Sequence, residues 1–281
     1  MDETRRVLAE GFCFLEGPRW HEGRLFVSDM HGDRVVAVDP AGQVEAVLDV
    51  PTRPSGLGWL PDGRLLVVSM VDRKLLRRDP DGLHVHADLS GIATYHCNDM
   101  VVDAQGRAYV GNFGFDWEVR EAPTPAALAL VYPNGRVVRA AEDLSFPNGT
   151  VITPDGRTLI VGESFGGCLT AFDIAADGTL SNRRVWAALE GASPDGICLD
   201  AEGCVWVASP LSSELLRVRP GGGFTHSIKF EHHVVACMLG GADRRTLFVL
   251  TAPSLTREAC RAARGARIEV LEADVPGAGW P

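Results

Sequence analysis

No apolar run in this 281-residue sequence reaches the roughly 20 residues that a membrane-spanning helix needs, so we expect no membrane segment. The segment from Met1 to Arg6 lacks the apolar core of a secretory signal peptide, and we therefore expect a cytoplasmic protein. No pair of the seven cysteines has the CxxC spacing of a zinc site, and their number is odd. This pattern indicates reduced and mostly buried thiols.

Positive charge is also in short supply. The 27 Lys and Arg residues face 37 Asp and Glu residues, and the net charge of -10 argues against nucleic acid as a partner. No linker or low-complexity segment interrupts the chain, so we expect residues 1–281 to form a single domain. The sequence gives no indication of an oligomeric state.

A turn with Gly-Arg or its equivalent recurs roughly every 40 to 50 residues, which is the period of a propeller blade. The clear copies begin at Gly23, Gly63, Gly106, Gly156 and Gly203. Short apolar runs precede and follow each turn, and each repeat has room for about four strands. Six such units account for the whole length. We therefore predict an all-β fold, a single six-bladed β-propeller with four-stranded antiparallel blades around a central channel.

The two ends of the chain are expected to complete one blade together. Residues Thr4 to Glu10 form a short strand pattern, and Arg267 to Ala273 form the last one. Pairing them would close the ring, since an open ring would leave unpaired strand edges.

One position of the repeat is polar in most copies. It lies at the start of the run before each turn, seven or eight residues ahead of the turn glycine in the clear copies. The residues at this position are Glu16, Ser55, Asn98, Asn148, Asp195 and, in a weaker sixth copy, Cys237. Because the innermost strand of each blade runs beside the channel, we expect these side chains to converge at one channel mouth. We call them the ring position.

Two ring residues lie in ordinary turn sequences. Asn148 is the centre of Pro-Asn-Gly and Asp195 the centre of Pro-Asp-Gly, and such triplets are most often turns. Their phase separates them from residues 61–63 and 154–156, where the same kind of triplet supplies the turn glycine itself.

Converging carboxylates would repel each other unless a positive charge lay between them. Glu16 and Asp195 supply two negative charges and Asn148 a neutral oxygen, which together suit a hard divalent cation. Three protein ligands leave coordination positions open for water and a substrate, as in a catalytic site. A structural ion, or polar residues bridged by channel waters, is the alternative.

Several motifs occur in order along nearly the whole chain, and together they resemble the regucalcin (senescence marker protein), gluconolactonase and luciferin-regenerating enzyme family. They are Phe14-Leu15-Glu16-Gly17-Pro18, Asn98-Asp99, Asp103-Ala104-Gln105-Gly106-Arg107, Pro147-Asn148-Gly149, Pro194-Asp195-Gly196 and Val205-Trp206-Val207-Ala208.

This resemblance implies a six-bladed propeller with one divalent metal in its channel and, in many members, lactone hydrolysis. By resemblance, Glu16, Asn148 and Asp195 match the metal ligands. Asn98 matches a position that contacts substrate or completes the metal site. Ca²⁺ is the expected ion, with Mg²⁺, Mn²⁺ or Zn²⁺ as alternatives.

Two further substrate contacts follow from the resemblance and from its departures. Sugar lactonases of the family carry an arginine two residues before the Asn98 equivalent, where this chain has His96. His96 is a candidate hydrogen-bond partner for substrate, and this departure weakens the sugar-lactone assignment. The insertion at residues 113–125 resembles a lid whose acidic contact is Asp116, with Glu118 as the competing choice.

The predicted activity is metal-dependent opening of a sugar-acid lactone or a related small lactone. The cation would polarise the ring carbonyl and water would attack it, with Asp195 as candidate base and a metal-activated water competing for that role. The chain lacks a Gly-x-Ser-x-Gly elbow, so no serine nucleophile is invoked. Phosphotriester hydrolysis, or binding of a metal or small ligand without turnover, are the alternatives.

Overall fold

A computed structural model describes residues 5–119 and 121–280. These residues form 24 strands in six antiparallel four-stranded sheets, and the predicted six-bladed propeller is confirmed. The innermost strands of the sheets contact one another in sequence around a common axis and close on themselves. None of the helices in the described residues is long and apolar enough to span a membrane.

The first three blades follow the chain order. Blade one comprises β2 (Leu15–His21), β3 (Arg24–Asp29), β4 (Arg34–Val38) and β5 (Val44–Asp49), with a 3-10 turn at Met30–Gly32. Blade two comprises β6 (Pro54–Trp59), β7 (Leu65–Ser69), β8 (Lys74–Asp79) and β9 (Gly82–Asp88). Blade three comprises β10 (Cys97–Val102), β11 (Ala108–Asn112), β12 (Ala126–Val131) and β13 (Val137–Leu144).

The last three blades include the ring closure. Blade four comprises β14 (Pro147–Ile152), β15 (Thr158–Glu163), β16 (Cys168–Ile174) and β17 (Leu180–Ala188). Blade five comprises β18 (Ile197–Leu199), β19 (Val205–Ser209), β20 (Glu214–Val218) and β21 (Phe224–Lys229). Blade six comprises β22 (His233–Gly240), β23 (Thr246–Ala252), β24 (Ala266–Glu272) and β1 (Arg6–Phe12), with helix α1 (Arg257–Ala263) before β24.

In several blades an aspartate holds the recurring turn between the first two strands. In blade three the Asp103 carboxylate accepts hydrogen bonds from the backbone amides of Gln105 and Arg107, both at 2.9 Å. Gly106 between them has a φ of 76°, which favours glycine. Asp200 accepts from two amides in the same way in blade five. Because these hydrogen bonds join residues that are at most four positions apart, the sequence alone predicts the turn.

Burial decreases from the axis outward. All six residues of β10 are buried, whereas most of β9 at the outer edge of its blade is exposed. The second strand of each blade is the most apolar one, as in β7 and β19, whereas the inner strands bury polar residues such as Glu16 and Asn98 and the outer strands carry charges.

The chain ends close the ring as expected. Strand β1 pairs antiparallel with β24, for example Val7 with Glu269 and Glu10 with Arg267. Of the predicted N-terminal strand, Thr4 lies outside the described residues.

A second connection crosses the end of the propeller at which the inner strands finish, opposite the ring position. Residues 276–280, which we call the C-terminal strap, hydrogen-bond to three blades in succession. Their amides donate to the backbone oxygens of Arg244, Leu199 and Ile152 in blades six, five and four, at 2.8, 2.9 and 3.0 Å. The strap joins three blades independently of β1.

Candidate functional site

The ring position coincides with an irregularity in the inner strands. Strands β2, β6, β10, β14 and β22 lose register with their neighbours there, and β18 begins two residues beyond it. Such a bulge re-aims a side chain out of the regular pleat. Four of the ring residues line one cavity of about 370 Å³: Glu16, Asn98, Asn148 and Asp195. The structure thus brings the three predicted metal ligands and Asn98 together.

The ring residue of blade six differs from the predicted one. The amide of Gly149 donates across the blade boundary to the oxygen of Asp195 at 3.1 Å, and the amide of Gly196 donates to the oxygen of Val235 at 2.9 Å. Val235 is therefore the sixth member, and the placement of Cys237 in the ring is wrong by two residues. The blade-six repeat has no clear turn glycine, so counting back from its turn misplaced the register.

Two oxygens of this site are buried without partners in the described residues. Glu16, Asn148 and Asp195 are 7%, 6% and 9% exposed. In the described part of the chain, Asn148 Oδ1 and Asp195 Oδ1 form no hydrogen bond. The Nδ2 group of Asn148 donates to Ser164 Oγ at 3.2 Å, so the amide is oriented by its nitrogen. A buried polar atom without a partner is costly unless something binds to it.

The pKa values of the two carboxyl groups of the site, Asp195 and Glu16, are raised. Burial raises the pKa of the Asp195 carboxyl to about 8, from an ordinary 3.8. Burial also raises the pKa of Glu16 well above its ordinary value, and the charges of Asp195 and Asp99 raise it further. Desolvation and like charge both disfavour the ionised forms, so a cation at this position would be strongly stabilising.

The arginine that reaches this region is already paired. Arg19 Nη2 lies 2.7 Å from Asp99 Oδ1, and both side chains are buried. None of the ion pairs formed by the described residues involves Glu16 or Asp195. Two uncompensated carboxylates beside an amide oxygen are a donor set that fits a hard divalent cation.

Asn98 is held in the wall beside these ligands. Its Nδ2 group donates to the backbone oxygen of Pro147 at 3.2 Å, which ties blade three to blade four. The side chain is 4% exposed and lines the same cavity. It is thus placed to contact a bound molecule or to complete a ligand set.

Loop 113–125 contributes to the cavity wall, although Arg120 within it lies outside the described residues. Its acidic lining residue is Glu118, whose Oε1 lies 3.0 Å from Arg53 Nη1. Asp116 is absent from the lining. Its carboxylate accepts a hydrogen bond from the backbone amide of Glu118 at 3.0 Å and so shapes the loop. The structure therefore favours Glu118 over Asp116 as the acidic contact.

His96 lies behind the wall and is not among the described lining residues of the cavity. Its ring stacks on Tyr95 with centroids 4.1 Å apart and meets Phe113 edge-on at 6.0 Å. Burial lowers its pKa, and the charge of Arg53 lowers it further. In this arrangement His96 supports the position of Phe113, which does line the cavity.

His31 is a lining residue that the sequence did not reveal. It follows β3, it is 3% exposed, and its Nδ1 atom has no hydrogen-bond partner in the described residues. Several other lining residues likewise follow the second strand of a blade: Met70, Phe113, Ser164, Phe165, Pro210 and Leu211. These residues share one position of the repeat, directly after the second strand of a blade. This position differs from the ring position and could have been used in the same way to predict cavity residues.

Acid is expected to destabilise the protein through His31. Burial lowers its pKa to about 3 from an ordinary 6.5. Between these values the unfolded chain binds a proton at this residue and the folded chain does not, so stability falls as the pH decreases. His31→Asn should lose less melting temperature than the wild type between neutral pH and about pH 4.5, in melts followed by circular dichroism. The exposed His84→Asn serves as control, and an equal loss in all three proteins would contradict the expectation.

Comparison with known proteins places these features in context. The family model described as the SMP-30/Gluconolactonase/LRE-like region matches residues 14–253. Regucalcin of Xenopus laevis is 28% identical over 263 residues, which cover 88% of this chain and 85% of that protein. Regucalcin of Danio rerio is 32% identical over 160 residues, which cover 55% of this chain and 54% of that protein.

Two solved structures have a similar fold over nearly the whole chain. A gluconolactonase from Xanthomonas campestris has a TM-score of 0.78 at 25% identity, covering 97% of this chain and 89% of that one. A calcium-binding regucalcin from Agrobacterium tumefaciens has a TM-score of 0.79 at 22% identity, covering 98% and 94%. At its lower identity the second of these supports the fold.

Proposed function

Because the chain belongs to the SMP-30/gluconolactonase/LRE-like family, we propose that it is a lactone hydrolase that works with one divalent cation. The observation that carries the proposal is the pair of buried, unpartnered oxygens, Asn148 Oδ1 and Asp195 Oδ1, beside the buried Glu16. The names of two similar structures, a gluconolactonase and a calcium-binding regucalcin, support both parts of it.

In this proposal Glu16, Asn148 and Asp195 hold the cation, with Ca²⁺ as the first choice and Mg²⁺, Mn²⁺ or Zn²⁺ as alternatives. When bound, the cation supplies Lewis-acid polarisation of the lactone carbonyl. Asn98, fixed by its bond to Pro147, positions the ring of the substrate in the same cavity.

Asp195 is the proposed base. Water adds to the carbonyl carbon and gives one proton to the carboxylate of Asp195. The bond between that carbon and the ring oxygen then breaks, and the ring oxygen takes the same proton to become a hydroxyl. The product is a hydroxy acid, and Asp195 returns to its starting state.

A chelation and rescue experiment tests this function. The purified protein is stripped with a chelator and assayed for acid release from aldonolactones, aliphatic lactones and phosphotriesters, with each of the four cations restored in turn. We expect lactone opening that disappears on chelation and returns with at least one cation, because the ligand set leaves two carboxylates uncompensated without it. Hydrolysis of phosphotriesters alone, or metal binding with no turnover of any compound, would contradict the proposal.

A further inference from the structure

Two large apolar side chains stand exposed at the mouth of the cavity. Phe165 is 54% exposed and Leu211 is 76% exposed, and both line the cavity that holds Asn148 and Asp195. Exposed apolar groups gathered around a pocket, in contrast to single scattered ones, mark a surface that an apolar ligand covers. They lie in blades four and five, directly after the second strand of each blade.

Phe165 is the outer member of an aromatic wall. Inside it, Phe146 stacks on Phe113 with centroids 4.4 Å apart, and Phe165 meets Phe146 at 5.2 Å. Phe113 and Phe146 are buried, and both line the cavity. An apolar surface therefore continues from the interior of the cavity to its rim.

Two hydroxyl groups of the cavity wall are occupied by backbone oxygens, whereas His31 Nδ1 and Arg53 Nε have no partner among the described residues. Ser164 Oγ donates to the backbone oxygen of Pro194 at 2.6 Å, and Ser193 Oγ donates to the backbone oxygen of Ser164 at 2.8 Å. Arg53 is paired with Glu118. A ligand with several hydroxyl groups would find few free partners in this wall beyond His31 Nδ1 and Arg53 Nε, and each hydroxyl group buried without one costs binding free energy.

From these observations we propose that the substrate is a lactone bearing an alkyl or aryl substituent rather than a polyhydroxylated sugar lactone. This assignment rests on the proposed lactone hydrolysis. The lactone carbonyl lies among Glu16, Asn148 and Asp195, and the substituent packs along the aromatic wall to the rim. Phe165 and Leu211 then act as specificity residues that bind the substituent and not the reacting group.

The test compares three γ-lactones of the same ring size: γ-butyrolactone, its pentyl derivative γ-nonalactone, and galactono-γ-lactone. With metal restored, we expect kcat/KM for γ-nonalactone to exceed that for galactono-γ-lactone by about 10-fold or more. Changing both rim residues, Phe165→Ser with Leu211→Ser, should lower kcat/KM for γ-nonalactone by about 10-fold, mainly through KM, and should change γ-butyrolactone by less than about 2-fold.

A matched control is available in blade four. Val185 is 67% exposed on the outer strand β17, away from the cavity, so Val185→Ser should behave as the wild type toward all three lactones. Preference for galactono-γ-lactone, or loss of activity on γ-nonalactone and γ-butyrolactone alike in the rim variant, would overturn the substrate class while leaving lactone hydrolysis intact.

A binding measurement tests the apolar substrate class separately from the proposed lactone hydrolysis. If no lactone is opened under any metal, the proposed function fails, and titration calorimetry with alkyl and hydroxylated γ-lactams then reports on the cavity alone. Tighter binding of the alkyl lactam, weakened in the rim variant and unchanged in Val185→Ser, supports an apolar ligand. Equal or weaker binding of the alkyl lactam refutes it.

Discussion

Lactone opening is expected to fall by about 10³-fold or more in an Asp195→Asn variant assayed with metal in excess. The change preserves the shape of the side chain, but it removes one of two uncompensated charges from the proposed metal site and the proposed base from the reaction. The affinity for Ca²⁺ measured by calorimetry should fall as well, since the remaining Glu16 and Asn148 supply a single charge.

The same substitution at a second Pro-Asp-Gly triplet gives a matched control. Asp155 lies in an exposed turn of blade four, where its carboxylate accepts a hydrogen bond from the amide of Arg157 at 3.1 Å. Asp155→Asn should leave both activity and Ca²⁺ affinity unchanged. If the two variants were equally active, Asp195 would be neither ligand nor base.

Removing the metal from the wild type is expected to lower its melting temperature by roughly 5–10 °C compared with protein at 100-fold excess over Kd, because such binding contributes about 2.7 kcal/mol and each kcal/mol shifts the midpoint by about 2–4 °C. Differential scanning calorimetry with and without chelator measures the shift. A shift below 1 °C with saturating Ca²⁺, Mg²⁺, Mn²⁺ and Zn²⁺, about half the smallest effect expected for 1 kcal/mol, would exclude a metal site of this strength.

The chelated protein should also show a particular dependence on pH. Asp195 keeps its proton up to a pKa of about 8 in the folded state, against 3.8 ordinarily. Between these values the folded chain binds more protons than the unfolded one, so stability decreases as the pH rises. Without metal, Asp195→Asn should therefore be the more stable protein at neutral pH and should show a smaller slope, of which the buried Glu16 carries part. With metal the order should reverse.

Much of the fold was predictable because its signals are local. The turn in blade three depends on Asp103 and Gly106, which are three residues apart, and its equivalents recur at a fixed period. The convergence of Glu16, Asn148 and Asp195 on one cavity was predictable because the same period places them at equivalent positions in three blades. In a repeat protein, a local sequence motif therefore also predicts which residues distant in sequence lie close together in the fold.

The remaining site residues depend on features without such a period. In blade six the residue of the turn that corresponds to the glycine is Arg244, with a φ of 59°, and Val235 lies nine residues before it, one more than the largest spacing in the clear copies. The presence of Glu118 in the cavity wall, in place of Asp116, depends on the conformation of an irregular loop, in which Asp116 accepts a hydrogen bond from the amide of Glu118. His31 belongs to a short 3-10 turn, and its burial arises from packing against Phe14 in a neighbouring segment, with ring centroids 5.1 Å apart.

The pairing of β1 with β24 has a consequence for biosynthesis. Val7 and its partner Glu269 are about 260 residues apart, so at about 5–20 residues per second the ribosome makes the first strand some 13–50 s before its partner. Five blades can assemble in that interval while β1 waits with unpaired backbone groups. Charged residues at Arg6 and Glu10 suit an edge that must not pair with another nascent chain. The last blade therefore forms only on chains translated through β24, and closure of the ring marks those chains apart from prematurely terminated ones.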